Sequence, residues 1–333
     1  MRLHDIAVVG ASGLVGRKIL QVLDERNFAV GKVVAIASDA SVGKDVNIKG
    51  KSYRINKISP EIFKNLEFAF FSAGASVSHE WAPVAAKEGC IVIDNSSAFR
   101  MNADVPLIVP EVNRQDMFKN KGIISNPNCS TIQLVMALKP LDDKFKIKRV
   151  VVSTYQSVSG AGYKGVNALQ NEITNIQDTL SKSPFPHKIA YNAIPQVDLF
   201  FDDGYTKEEL KMINETRKIM GKKDLSITAT CVRIPTIGGH GESVNIEFDK
   251  KVSTEEVKEA LASFKGITVQ DEPATSTYPM PVNAEDRDDV FVGRIRVDNS
   301  VKHGINLWVV SDNVRKGAAT NAVQIAEEYV KGK

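Results

Sequence analysis

Cys129 stands in the stretch Ser125-Asn126-Pro127-Asn128-Cys129-Ser130-Thr131. The short apolar run Gly122-Ile123-Ile124 precedes it, and a helix read over 131–139 follows, with Pro140 expected to stop it. Pro127 restricts the turn and Asn128 is a good N-cap residue, so the sulfur falls at the first turn of a helix. A free thiol, with a pKa of about 8.5, is only a few per cent ionised at neutral pH. Helix N-terminal N–H groups and a nearby cation favour the anion and make a nucleophile of it. Taken singly, such a cysteine reads as structural; the remaining sequence reverses that reading. A second candidate, His240, lies in Arg233-Ile234-Pro235-Thr236-Ile237-Gly238-Gly239-His240-Gly241-Glu242, where three glycines are expected to leave the imidazole accessible. Nucleophile and proton carrier together suit acyl transfer through sulfur.

Positioning such groups needs a large fold. The 333 residues suggest two domains, and the 43% hydrophobic and 25% charged content is that of a globular chain. The formal charge of +3 leaves no broad basic surface for nucleic acid or an anionic membrane. No run reaches the ~18 apolar residues of a membrane span, and Asp5 interrupts the first apolar run as a signal peptide would not. Three cysteines form no framework and no Cys/His spacing resembles a metal site, which points to a reducing cytoplasm. Cys90 and Cys231 sit in strand-like runs and are expected to be buried.

The apolar strand Ile6-Ala7-Val8-Val9 runs into Gly10-Ala11-Ser12-Gly13-Leu14-Val15-Gly16, and an amphipathic helix follows. A glycine-rich turn between strand and helix lets backbone N–H groups approach a pyrophosphate. The second strand, 32–37, ends at Ser38-Asp39-Ala40-Ser41, where such folds read the ribose. Asp39 suits a free 2′-hydroxyl and Ser38 and Ser41 suit a 2′-phosphate, so these residues leave NAD and NADP both open. A further strand, 66–71, leads into Ser72-Ala73-Gly74, small enough for a cofactor or simply for a helix cap. Alternation of strand and helix to about residue 128 predicts a doubly wound parallel sheet. Beyond it come a long strand, 148–157, a helix over 163–180, and a charged helix over 206–220. On that helix Glu208 and Lys211 share a face and read as a solvated surface pair. Strands over 226–234 and 242–248 are read as adjacent; a helix at 254–264, strands at 290–297 and 305–310, and a last helix at 316–330 complete a mixed region.

The cysteine stretch, the Gly10–Gly16 turn, Tyr155-Gln156-Ser157-Val158-Ser159-Gly160 and the Arg233–Glu242 stretch together resemble the aspartate-β-semialdehyde dehydrogenase family over essentially the whole chain. The resemblance implies an α/β fold: an N-terminal Rossmann-type dinucleotide-binding domain, residues 1–128 plus 313–333, and a central mixed α+β catalytic and dimerisation domain, 129–312. It implies Cys129 as nucleophile and His240 as general acid/base. Gln156 would orient the substrate, Arg233 would bind its α-carboxylate with bidentate geometry, and Glu208 would face its ammonium. Lys211 and Arg100 would hold phosphate, with Asn128 at the same pocket. Gly10, Ser12, Gly13, Leu14, Val15, Ser38, Ser41, Ser72, Gly74, Ser159, Gly160 and Asn313 would touch the cofactor.

The implied reaction is reversible, NADP-dependent reductive dephosphorylation of β-aspartyl phosphate to aspartate β-semialdehyde through a thioester, in lysine, methionine and threonine biosynthesis. In the oxidative direction His240 would take the proton of the thiohemiacetal. The implied assembly is a homodimer or homotetramer in the cytoplasm. Many relatives carry an arginine two residues after the position of Ser38, where this chain has Ala40, so NADP is the expected cofactor with a smaller preference over NAD than an arginine-carrying relative shows. Two rivals share features: N-acetyl-γ-glutamyl-phosphate reductase, for which an acid facing an ammonium has no purpose, and a non-catalytic cofactor-binding regulator, which needs neither Cys129 nor His240.

Overall fold

The computed structural model describes residues 2–174 and 183–332. The chain divides into two compact units, Met1–Asn128 with Ala318–Lys333, and Cys129–Gly317.

In the first unit the chain forms β1 (His4–Val9), α1 (Leu14–Glu25), β2 (Val30–Ile36), β3 (Asp45–Ile48), β4 (Lys51–Asn56), β5 (Phe68–Phe71), α2 (Ala75–Lys87), β6 (Ile91–Asp94), α3 (Pro110–Asn113) and β7 (Ile123–Ser125). These make one seven-stranded sheet in the order β3-β4-β2-β1-β5-β6-β7. Every pairing is parallel except the β3–β4 hairpin. The inner strands are buried on both faces. Ile6, Val8, Phe68 and Phe70 join one apolar cluster, and Ala7, Val9, Ala69 and Phe71 the other. That is why these strands read as continuous apolar runs rather than alternating ones. α1 contributes Ile19, Leu20, Val22 and Leu23 to the first cluster, and the C-terminal helix, Thr320–Lys331, contributes Ala322, Val323, Ile325 and Ala326. The strand order reverses at β1, which lies between β2 and β5; in open α/β sheets such a reversal marks the ligand crevice.

The second unit runs through α4 (Cys129–Phe145), β8 (Ile147–Gln156), α5 (Tyr163–Thr174), α6 (Lys207–Ile219), β9 (Ser226–Arg233), β10 (His240–Phe248), α7 (Thr254–Ala262), β11 (Ile267–Val269), α8 (Pro281–Ala284), β12 (Val290–Asp298) and β13 (Gly304–Ser311). Its six-stranded mixed sheet has the order β11-β12-β13-β10-β8-β9. The strands over 226–233 and 240–248 are therefore not neighbours, because β8 lies between them, parallel to β9 and antiparallel to β10. The far end of the helix expected over 163–180 lies outside the described residues.

Pro140 does not end α4, which continues to Phe145. A proline inside a helix costs about 3 kcal/mol. Burial of Leu138, Leu141 and Phe145 outweighs it, at about 1.5–3 kcal/mol per side chain. The second crossing between units falls at Gly317 and Ala318 rather than at 313. Asn313 stays with the second unit because its Oδ1 accepts from the Gly239 N–H at 3.0 Å, and Asp312 Oδ1 ties the Val314 and Arg315 N–H groups into the same turn. Among the described residues no helix is long and apolar enough to cross a membrane.

Candidate active site

Three strands of the second unit each end an inward-facing row with a polar side chain. On β8 the buried residues Val150, Val152 and Thr154 lead by twos to Gln156. On β9, Ile227, Ala229 and Cys231 lead to Arg233. On β10, Val244 and Glu242 lead to His240. The period of two carries each of these groups to the buried face. Register brings the row ends together: Gln156 pairs with Arg233, and Gly241 with Tyr155.

α4 brings Cys129 to this unit at its first position. Cys129 is neither disulfide-bonded nor fully buried, whereas Cys90 and Cys231 are both buried. The helix is buried almost all round, so it holds its N-terminus rigidly. Gln156 Nε2 donates to Ser130 Oγ, next to the cysteine, at 2.8 Å and to Glu208 Oε1 at 3.1 Å. Arg233 Nη1 donates to the Ser157 carbonyl at 2.7 Å, and the guanidinium lies 5.8 Å from the Phe185 ring centroid. Burial pulls the Arg233 pKa down from its usual value, while Glu208 and the Cys129 sulfur act against that shift.

Glu208 and Lys211 are not the solvated pair that the helix spacing suggests. Their side chains are only 7% and 19% exposed, and Lys211 Nζ bonds Glu208 Oε2 at 3.1 Å and Asp198 Oδ2 at 2.8 Å. Burial works against the charge on Lys211, but Glu208 and Asp198 outweigh it and raise the pKa. The reason is the helix start: Thr206 closes a capping box with Glu209, whose Oε1 accepts from the Cys231 N–H of β9, so the first turn of α6 is fastened to the sheet.

His240 is fully buried, not exposed by its glycines. Its Nδ1 lies 3.1 Å from the Ser157 backbone N–H and 3.0 Å from Ser157 Oγ, while Nε2 has no hydrogen-bond partner among the described residues. Burial and the Arg233 charge push its pKa down to about 3, against a smaller upward pull from Glu208, so the ring is neutral at physiological pH. Asn313 Oδ1 accepts from Ser157 Oγ, Ser159 Oγ and the Gly239 N–H, and its Nδ2 donates back to Ser159 Oγ. A Cβ on Gly160 would stand 2.7 Å from Arg233 Nη1 and 3.4 Å from His240 Nε2. Ser159, Gly160 and Asn313 therefore lie around the His240 ring.

In the first unit, Gly10 has φ +91°, and a Cβ there would stand 2.8 Å from the backbone of Ser72. A Cβ on Gly16 would collide with the Gly10 carbonyl. Gly13 precedes α1 without a side-chain cap, and the first turn of that helix carries no acid. This cradle, at the strand-order reversal, fits the pyrophosphate of a dinucleotide. Ser12, Leu14 and Val15 lie on the same turn; Ser38 and Ser41 flank a short turn after β2, and Ser72 and Gly74 lie between β5 and α2. Arg100 and Asn128 also belong to this unit. Arg100 donates to the carbonyls of Asn126 at 3.0 Å and Asn95 at 2.8 Å.

Ser130, Ser157, Asp198 and Gly317 escaped the sequence reading as site residues. Ser157 lies inside a motif already singled out; Asp198 and Gly317 carry no local signal. A Cβ on Gly317 would stand 2.9 Å from the Cys129 Cβ.

A dinucleotide cradle in one unit and, in the other, a cysteine at a helix start, a buried arginine and a neutral histidine are the parts of a nicotinamide-dependent dehydrogenase. Family models describe the same two parts: "Semialdehyde dehydrogenase, NAD binding domain" matches residues 5–120, and "Semialdehyde dehydrogenase, dimerisation domain" matches 138–316. The aspartate-semialdehyde dehydrogenase of Aquifex aeolicus is 56% identical, over 98% of each chain, and that of Bacillus subtilis 49%, over 98% of this chain and 97% of its own. The crystal structure of aspartate semialdehyde dehydrogenase II from Vibrio cholerae, complexed with ASA, superposes with a TM-score of 0.94 at 45% identity over 99% of each chain. The chain belongs to the aspartate-semialdehyde dehydrogenase family.

Proposed function

We propose that this chain catalyses the reversible, NADP-dependent reductive dephosphorylation of β-aspartyl phosphate to aspartate β-semialdehyde, in the biosynthesis of lysine, methionine and threonine. The observation that carries the reading is a cysteine at a helix start that is not fully buried, in one unit with a neutral His240 and the charged side chains of Arg233, Glu208 and Lys211. The substrate's carboxylate, ammonium and phosphoryl group call for opposite charges, which Arg233, Glu208, and Lys211 with Arg100 supply. Gln156 and Asn128 orient what they hold.

Cys129, as thiolate, adds to the acyl carbon; the bond from that carbon to the phosphate oxygen breaks, and a thioester remains. When bound to Gly10, Ser12, Gly13, Leu14, Val15, Ser38, Ser41, Ser72, Gly74, Ser159, Gly160 and Asn313, the reduced dinucleotide supplies the hydride that brings the thioester to the aldehyde level. Cys129 departs as thiolate when the C–S bond breaks and the carbonyl re-forms. His240 serves as the general acid/base that shuttles the proton as the thiohemiacetal collapses to the aldehyde. The chain works as a homodimer or homotetramer in the cytoplasm.

The test is reduction of NADP and of NAD by aspartate semialdehyde, with and without phosphate. Reduction that needs phosphate is expected, with a smaller preference for NADP over NAD than an arginine-carrying relative shows, because Ala40 stands where that arginine would hold a 2′-phosphate. Cys129→Ala should abolish turnover and keep dinucleotide binding; turnover surviving in that variant, or reduction indifferent to phosphate, would overturn the reading. N-acetyl-γ-glutamyl phosphate, run in parallel, should not be a substrate, its blocked amine giving Glu208 nothing to face.

A further inference from the structure

Lys211 stands between two carboxylates. Its Nζ donates to Glu208 Oε2 at 3.1 Å and to Asp198 Oδ2 at 2.8 Å. An ammonium has three N–H groups, and among the described residues no other protein atom takes the third. Glu208 is the acid that the proposed reaction sets against the substrate's ammonium. An anion already matched by a cation 3.1 Å away offers little net charge to a second cation. Asp198 alters that balance, because one cation between two anions leaves the trio with a single negative charge. Arg233, whose charge also interacts with Glu208, is reserved for the α-carboxylate, so Asp198 is the acid left to offset Lys211.

The fold holds Asp198 in that place. The segment leading into α6 is fastened on both sides of it: Ile194 bridges Arg233 of β9, and Phe200 bridges Thr206, the cap of α6. The Lys207 N–H also donates to the Leu199 carbonyl at 2.8 Å. Asp198 itself takes a φ of +70°, which few residue types besides glycine, asparagine and aspartate accept. Its Oδ1 accepts from the Leu199 N–H at 3.0 Å, which leaves Oδ2 for Lys211. The Asp198 and Lys211 side chains are 30% and 19% exposed, so salt screens the pair less than it would at an open surface.

We infer that Asp198 is a specificity-determining residue: by offsetting Lys211 it keeps the negative charge of Glu208 effective toward the substrate's ammonium, and so favours an amino-acid aldehyde over its deaminated counterpart. The inference rests on the reaction proposed above and deepens it at the ammonium end. Asp198 acts through Lys211 and Glu208 rather than by touching the substrate. With two of its N–H groups engaged, Lys211 keeps one for a phosphoryl oxygen, so a single lysine serves that anion without cancelling the acid beside it. A role confined to the turn would need only the acceptance at Oδ1, which asparagine makes equally well.

The experiment compares wild type with Asp198→Asn, which keeps the shape, the tolerance of positive φ and the Oδ1 acceptor but removes the charge. Two constants are measured on each. One is the KM for aspartate semialdehyde. The other is the Ki of succinate semialdehyde, which lacks the amine, taken as a competitor so that it need not turn over. The KM is expected to rise about 10-fold, the scale of one partly shielded charge contact, with the succinate semialdehyde Ki unchanged or lower. The phosphate KM should hold or fall, because a negative charge has left the side of Lys211. An unchanged aspartate semialdehyde KM overturns the inference. So does a rise shared equally by both ligands in a variant of wild-type circular dichroism, which would give Asp198 a structural role only. A phosphate KM that rises more than the aldehyde's assigns Asp198 to the phosphate and overturns it as well. Should Asp198→Asn fail to fold, Asp198→Gly, uncharged and at ease with the same φ, carries the same comparison. A wild-type chain inactive with aspartate semialdehyde and phosphate defeats the proposed reaction and this inference with it. An active wild type whose discrimination survives Asp198→Asn defeats the inference alone.

Discussion

His240 and Glu242 are neighbours by twos on β10, and both are fully buried. They make opposite demands on pH. The unfolded histidine has its ordinary pKa of 6.5, and burial with Arg233 brings the folded value to about 3. Between these limits the unfolded chain binds the extra proton, so stability is present above about pH 6.5 and is lost as pH falls toward 3. One proton is worth about 1.4 kcal/mol per pH unit in that window. Glu242 is shifted the other way, well above 4.5, by burial that the nearby Gln133 only moderates. Among the described residues neither of its carboxyl oxygens has a partner of good hydrogen-bond geometry, Gln133 being the neighbour that lowers its pKa. For this group the folded state binds the extra proton, so its contribution is largest in acid and falls as pH rises past 4.5. Melting temperatures measured across pH should therefore separate the two. His240→Gln should flatten the decline between pH 6.5 and 4, and Glu242→Gln should raise the melting temperature on the alkaline side. Parallel pH curves for wild type and both variants would show that neither group is held in its neutral form.

At the level of elements, the site depends on close approaches that only glycine permits. Gly317 follows the turn capped by Asp312 and meets the backbone of α4 at the cysteine itself. In Gly317→Ala the added carbon would lie 2.9 Å from the Cys129 Cβ, and the sulfur or the helix start must shift. A displacement of about 1 Å at a reacting atom costs on the order of 10²-fold in rate. Gly317→Ala is expected to lose turnover on that scale while its circular dichroism and dinucleotide affinity stay near wild type. Normal kcat in the variant would show that the cysteine has room to spare. The same contacts explain what the sequence could and could not display. The strand–glycine–helix start at residues 4–25 was legible because its cause is local: an apolar run, then glycines, then an amphipathic helix. The strand ends carrying Gln156 and Arg233 were legible for a similar reason, through their β-branched runs. The setting of His240 was not. Its glycines look like a loop, yet Gly241 pairs with Tyr155 and Val310 in the sheet. A Cβ at Gly241 would collide with the Trp308 ring, a partner dozens of residues away. Pro140 misleads in the same way, since what keeps α4 going is burial against elements far along the chain. Ser157 and Asn313 lie far apart in sequence, and only the folded unit puts their oxygens 3.1 Å apart.

Across the whole molecule the three cysteine thiols differ in what protects them. Cys90 is buried behind β6, its thiol 3.4 Å from the carbonyls of Phe63 and Leu66, and burial pushes its pKa up to about 11. Cys231 faces the core of the second unit, in contact with the Met212 sulfur, and burial, with Glu208 next in effect, raises its pKa further still. An alkylating agent attacks thiolate and needs access, and these two thiols offer neither. Cys129 is the partly exposed one, placed where the chain first passes from one unit to the other. Iodoacetamide added to native protein at neutral pH should therefore give an intact mass with one adduct, located at Cys129, and activity should fall in step with labelling. Substrate or phosphate present beforehand should slow the reaction. In denaturant the adduct count should rise to three, since nothing but the fold shields Cys90 and Cys231. Rapid native labelling of either buried cysteine would mean that the sheet around it opens far more readily than its packing allows. A single adduct that leaves turnover intact would remove the sulfur from the reaction altogether.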